Sequence, residues 1–267
     1  MSMELNRRTS PALELAGVLA SHMGKAEVMP LRPQDAALFD GTEPFRFGPG
    51  DSRPAWSVGE GPLVVLVHGY GGRGSQMAPL AHRLAENGFR AVFFDAGGHG
   101  DAAPEQIGFS TFMSDTRDIC AVLDRPVHGL IGHSAGGLGM MRSRALYGVT
   151  ARRYGVIAAP FFPYPPLNTM RANGVTEEAL EHVKFSLSLQ FQTRWSDIAG
   201  GISFAPEDGA DMLAIYDADD DRVQQSDGDA IAARWPGATV VKTAGLGHNR
   251  ILKAEETLAA VTDFLCA

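Results

Sequence analysis

The chain is poor in cysteine. Only Cys120 and Cys266 carry thiols among 267 residues, and neither has a neighbour at metal-ligand spacing. Two such cysteines exclude a disulfide-stapled scaffold. Positive charge is also scarce: 23 Lys and Arg face 31 Asp and Glu, a formal charge of −8. Nucleic acid selects a basic surface, so no nucleic-acid partner is expected. No run approaches 18 apolar residues, so no membrane-spanning helix is expected. No H-E-x-x-H or comparable metal spacing occurs, so no metal is expected, and the chemistry read below implies no organic cofactor. What remains is ordinary globular composition, 45% hydrophobic and 20% charged, at a length that fits one α/β domain with one insertion.

The first residues superficially resemble an export signal, with Arg7 and Arg8 ahead of a mildly apolar stretch from Pro11 to Ala20. Glu14 interrupts it, and no clean small-residue cleavage site follows. An amphipathic helix fits better. Ser10 can cap it, Pro11 suits its first turn, and Ala12, Leu15, Leu19 and Met23 share one face. Residues 1–44 are therefore expected to form a helical extension packed on the body of a cytoplasmic protein.

From residue 45 short apolar runs alternate with helical patterns. LVVLV (63–67), RAVFFD (90–95), HGLIGH (128–133), YGVIAA (154–159), MLAIYD (212–217) and ATVVK (238–242) read as strands. Near-continuous apolar strands are what a sheet buried on both faces requires. Helical spacing fills 76–87, 111–123, 137–147, 227–234 and 254–265. The alternation implies a mainly parallel sheet with helices on both faces. About 50 residues break it between Ala159 and Met212. Their first part, PFFPYPPL (160–167), reads as irregular and stiff, with four prolines and three aromatics. A helical stretch over 176–197 follows. The interval 160–210 is expected to be a small helical cap rather than a second domain.

The sharpest signal is Gly132-His133-Ser134-Ala135-Gly136, directly after a strand and directly before a helix. This is the G-x-S-x-G nucleophile elbow. A turn so tight strains the serine backbone and leaves room only for small neighbours. It lifts the hydroxyl above the sheet edge and aims the Ala135 amide, at a helix start, at a developing oxyanion. A nucleophilic serine needs a base, and the base needs an orienting acid; both are expected after the serine, each just past a strand. Asp217-Ala218-Asp219-Asp220-Asp221 follows one strand and Gly247-His248 the next. The order Ser134, Asp220, His248 fits. Four aspartates compete for the acid's place. A calcium loop built on 217, 219 and 221 fails, because Arg222 stands where the turn glycine belongs and Gly228 where the bidentate glutamate belongs.

Taken together these segments resemble the α/β-hydrolase superfamily, in particular compact bacterial serine hydrolases with a short helical cap, over residues 45–267. His68-Gly69-Tyr70-Gly71-Gly72 is similar to the family's HGxxG oxyanion segment, and Asp95–Gly100 to its DxxGxG loop. GHSAG matches its elbow, Asp220 with Val223 its D-x-x-V acid motif, and Gly247-His248 its histidine loop. The resemblance implies the α/β-hydrolase fold, Ser134 as nucleophile, His248 as general base, Asp220 as orienting acid, and an oxyanion hole from the amides of Tyr70 and Ala135. Asp217 stands where many members carry glycine, which keeps Asp217 and Asp219 as alternatives to Asp220.

Two rival classes have their own support. Gly69–Gly74 also satisfies G-x-G-x-x-G, with Asp95 placed as a ribose-binding acid would be. His68 between strand and glycine, the roughly 60 residues ahead of the fingerprint, and the lack of a Tyr-x-x-x-Lys pair count against a dehydrogenase. A non-catalytic ligand-binding protein on the same fold is the other class. Of the remaining histidines, His68 is expected to hold the oxyanion loop, His133 to point away from the nucleophile, and His99 to lie in a surface loop. The expected substrate is a small to medium hydrophobic carboxylic ester, bound in part by Phe161, Phe162 and Tyr164. A thioester, a lactone or a carbon–carbon bond calls on the same triad.

Overall fold

The computed structural model describes residues 30–207 and 209–267. The helix expected over Ser10–Met23 lies outside them. Pro33–Phe39 forms a 3-10 helix. From there the chain runs β1 (Glu43–Phe47), β2 (Arg53–Val58), β3 (Leu63–Val67), α1 (Ala78–Glu86), β4 (Arg90–Phe94), α2 (Phe109–Leu123), β5 (Val127–His133), α3 (Ser134–Tyr147) and β6 (Ala151–Ile157). Helices α4 (Tyr164–Ala172), α5 (Glu177–Phe191) and α6 (Trp195–Ala199) then precede β7 (Asp211–Asp217). The chain ends with α7 (Ser226–Arg234), β8 (Thr239–Thr243), α8 (Gly247–Arg250) and α9 (Glu255–Cys266).

The eight strands form one sheet in the order β1-β2-β4-β3-β5-β6-β7-β8. All pairings from β4 to β8 are parallel, while β1 and β2 pair antiparallel at one edge. Strand alternation divides the interior in two. Val65 and Val67 of β3 and Val92 and Phe94 of β4 face a layer containing Phe112, Met113, Leu138 and Met140 from α2 and α3. Val64, Leu66, Ala91 and Phe93 face the opposite layer, with Leu80 and Leu84 of α1 and Val261 and Leu265 of α9. Both faces of β3 are buried, which explains why it reads as an unbroken apolar run.

Three departures from the sequence expectations have physical causes. The edge strands β1 (EPFRF) and β2 (RPAWSV) have no clean apolar signature. Arg53 opens β2 yet is buried, because its guanidinium meets Asp115 at 2.9 Å and Glu105 at 2.6 Å. The stiff segment PFFPYPPL is not irregular throughout. It enters α4 at Tyr164, with Pro165 and Pro166 in the first turn, where a missing N–H costs nothing. The helical stretch expected over 176–197 divides at Gln192, which takes φ 50° and closes α5. The Thr176 hydroxyl caps α5 by accepting from the Ala179 amide.

Candidate active site

The turn after β5 forces Ser134 to φ 51°, in the left-handed region that costs an L-residue on the order of 1–3 kcal/mol. The neighbours permit it by being small. A Cβ on Gly132 would lie 2.6 Å from the Gly137 Cα, and one on Gly136 would collide with the His68 carbonyl. The helix α3 therefore starts at the serine itself, three residues earlier than its apolar spacing suggests.

Beyond β7 and β8 two further loops meet this turn. The Ser134 hydroxyl lies 3.0 Å from His248 Nε2, and His248 Nδ1 lies 2.7 Å from Asp220 Oδ2. A carboxylate only accepts, so Nδ1 carries the imidazole proton and Nε2 accepts from the serine. The other oxygen of Asp220 accepts from the amides of Arg222 (2.8 Å) and Val223 (3.0 Å). Burial pushes this carboxyl up, but the His248 hydrogen bond and the two amides outweigh it and hold it below the ordinary aspartate value. The Asp220 side chain is 1% exposed and that of His248 5%, so water competes little for their contact.

The other aspartates of the loop have different partners. Asp217 accepts from the amides of Asp219 (3.0 Å), Leu246 (3.2 Å) and Gly247 (2.9 Å) and from the Thr243 hydroxyl (2.7 Å). Burial raises its pKa, yet these donors lower it overall. Asp217 thus ties the acid loop to the base loop. Asp219 accepts from the Gly245 amide at 2.6 Å, in the same tie. Neither carboxylate is the partner of His248.

On the opposite side the segment after β3 crosses the turn. A Cβ on Gly69 would sit 2.9 Å from Ser134 Cβ, so only glycine lets Tyr70 and Ala135 flank the serine. His68 is fully buried and donates from Nδ1 to the Gly69 carbonyl (2.8 Å), while Nε2 accepts from the Ala96 amide (3.0 Å). Burial lowers its pKa to about 4, so it stays neutral and clamps two loops. His99 does not lie on a surface loop as expected. Asp95 accepts from the Gly74 amide on one side and the Asp101 amide on the other, and this folds the 95–101 loop inward. His99 is buried there against His68, Phe112 and Tyr70, with ring centroids 5.0, 5.2 and 5.9 Å away. Both Asp95 oxygens are engaged and fully buried, which leaves no acid for a ribose.

A cavity of about 480 Å³ opens on Ser134 and His248. Its walls are mainly Ile107, Phe109 and Phe112 from the body, Val183 and Leu187 one turn apart on α5, and Val223 after the acid. Pro160, Pro165, Asn168 and Thr169 also border it, with Asp221 and Arg222 beside Val223. Phe161, Phe162 and Tyr164, expected to bind substrate, do not line it. Phe161 stacks on Phe204, and Phe162 packs against Tyr164 and Trp195. The Tyr164 hydroxyl donates to Asp227 (2.8 Å) and accepts from the Gln224 amide (2.9 Å). These aromatics join the inserted helices to the body, as large side chains with a polar tip commonly do. Sequence reasoning passed over Val183 and Leu187, although their i, i+4 spacing is the signal of an inward helix face. Phe185 and Leu189 on the same helix are each 64% exposed and touch no part of the cavity.

Among the described residues no group of three or more His, Cys, Asp or Glu is placed to hold a metal ion. No helix among them is long and apolar enough to cross a membrane.

Comparison with known proteins agrees with this architecture. The chain is 28% identical over 153 residues to the non-heme chloroperoxidase CPO-A1 of Kitasatospora aureofaciens, a match covering 57% of this chain and 56% of that protein. The chain thus spans about half the length of this curated relative. Among solved structures, the bromoperoxidase from Bacillus anthracis superposes with a TM-score of 0.64 at 18% identity, covering 85% of this chain and all of that one. The esterase EaEST from Exiguobacterium antarcticum gives 0.62 at 16% identity, covering 84% and 100%. Both likenesses carry the fold. The description "serine aminopeptidase, S33" matches residues 61–223, from β3 through the elbow to the acid loop. With that stretch, the sheet order and the strand-ending loops in agreement, the chain belongs to the serine aminopeptidase S33 family of α/β-hydrolases.

Proposed function

We propose that the protein is a serine hydrolase that cleaves a carboxylic ester through an acyl-enzyme. The observation that carries this reading is the continuous hydrogen-bonded line from Ser134 Oγ through His248 to Asp220. In the first step His248 Nε2 takes the serine proton as Oγ attacks the carbonyl carbon. Asp220 stabilises the resulting imidazolium without itself taking the proton. The amides of Tyr70 and Ala135 receive the oxyanion; loss of one such donor typically costs ~10²–10³ in rate. The imidazolium then protonates the departing alcohol. Water, deprotonated by the same nitrogen, attacks the acyl carbon and restores the serine.

The apolar walls from Ile107 to Val223 suit an uncharged acyl chain. An ester is the first class to offer because the Exiguobacterium neighbour is named an esterase. Thioesters, lactones and activated carbon–carbon bonds use the same steps and belong in the same panel. The test is labelling with a fluorophosphonate, read by intact mass, on the parent and on Ser134→Ala. A single adduct on the parent and none on the variant supports the reading, and p-nitrophenyl esters of two to eight carbons then rank the acyl length. A folded parent that takes no adduct would sink it and favour a ligand-binding protein.

A further inference from the structure

His133 precedes the nucleophile, and none of the steps above uses it. Its side chain is buried to 3% exposure. Nε2 lies 2.9 Å from the backbone carbonyl of His248, so that nitrogen carries the proton and donates. The two imidazoles are 4.8 Å apart, centroid to centroid. Nδ1, left with its lone pair, is buried with no hydrogen-bond partner. It faces the oxyanion segment, where a Cβ on Gly69 would come within 2.9 Å of it. An apolar residue would fill this space without stranding a polar atom, so packing alone does not account for an imidazole here. What the imidazole adds is one hydrogen bond between the elbow and the loop that carries the base.

We propose that His133 is a positioning residue for the reaction: its Nε2–H anchors the His248 backbone to the nucleophile elbow. This rests on the serine-hydrolase reading and extends it. The Ser134–His248 hydrogen bond cannot hold the base in place throughout, because the serine oxygen is acylated and the imidazole gains and loses a proton during the cycle. The His133 bond uses the backbone carbonyl, which no step alters. It therefore keeps Nε2 within reach of Oγ, the leaving group and the incoming water in turn.

The comparison that tests this is His133→Gln against His133→Asn and His133→Phe, assayed on a p-nitrophenyl ester and by the fluorophosphonate labelling rate. A glutamine amide reaches the position of Nε2 and donates; an asparagine amide falls one methylene short; phenylalanine keeps the ring volume without the donor. His133→Gln is expected to keep kcat within about threefold of the parent. The asparagine and phenylalanine variants are expected to lose roughly 10–100-fold in kcat and in labelling rate. KM should stay within about twofold for all three, because His133 does not line the cavity. Full kcat in the phenylalanine variant, or a glutamine variant as slow as asparagine, would overturn the proposal. If phenylalanine does not fold, the glutamine–asparagine pair decides alone. A parent that fails to label Ser134 marks failure of the hydrolase reading instead, since that outcome precedes any difference among the variants.

Discussion

Three buried histidines should make this protein acid-labile in a calculable way. His68, His99 and His133 are each 0–3% exposed. Burial lowers their pKa values from 6.5 to about 4, about 3 and about 3. Below pH 6.5 the unfolded chain takes up protons that the folded chain refuses, so stability falls as pH falls. At pH 5 all three are neutral when folded and largely charged when unfolded. Each then costs about 2 kcal/mol relative to neutral pH, about 6 kcal/mol together. Asp115 opposes this. Burial raises its carboxyl to about 6, so the folded state binds its proton first and regains about 1 kcal/mol at pH 5. A net loss of several kcal/mol is a large share of the ~5–15 kcal/mol by which domains are stable. Urea melts at pH 7.5, 6 and 5 should show it. The decisive variant is His99→Phe, which keeps the ring contacts to His68, Tyr70 and Phe112 and gives up the Nδ1 bond to the Gly97 carbonyl. Whatever its stability at pH 7.5, it should lose about 2 kcal/mol less than the parent between pH 7.5 and 5. Parallel pH profiles for the two proteins would refute the reasoning.

The two aspartates should separate by assay. Asp220→Asn turns the group facing His248 Nδ1 from an acceptor into a donor and loses the His248 tautomer, and kcat should drop about 10³–10⁴-fold. Asp217→Asn replaces a carboxylate that collects four donors, so it should lower stability by about 2–3 kcal/mol in urea melts while retaining far more kcat. Tyr164→Phe breaks the contacts to Asp227 and Gln224 and should cost about 1–3 kcal/mol, with KM for a short ester unchanged because Tyr164 is not in the cavity. Gly136→Ala drives a methyl into the His68 carbonyl; it should abolish fluorophosphonate labelling or soluble expression, and a fully active variant would contradict the tight crossing of the two loops.

How far the sequence discloses this molecule depends on whether a signal is local. The central strands are legible because both faces are buried, as LVVLV shows. The elbow is legible because its glycines answer a steric demand within five residues. The edge strands β1 and β2 are not, since their burial depends on partners far along the chain: Arg53 reads as a surface residue until Asp115 and Glu105 reach it. The same holds for the aromatics of PFFPYPPL. The sequence places them at the substrate, but they pack the inserted helices instead, and the cavity is walled by Val183 and Leu187.

The histidines and aspartates beside the site expose the limit most clearly. A parallel sheet delivers its functional loops at the ends of buried strands, where water is largely excluded and loop amides need acceptors. Side chains must supply them. Asp95 serves the Gly74 and Asp101 amides, Asp115 the Gly97 amide, Asp217 the Leu246 and Gly247 amides, and His68 the Ala96 amide. Polar residues just past these strands therefore do two kinds of work with the same chemistry: some lock loops and some form the proposed triad. Asp217 and Asp220 are three residues apart and both accept buried donors. The imidazole at 2.7 Å marks Asp220 as the carboxylate facing His248, in line with its D-x-x-V spacing to Val223. That contact crosses 28 residues of chain and depends on where β7 and β8 end.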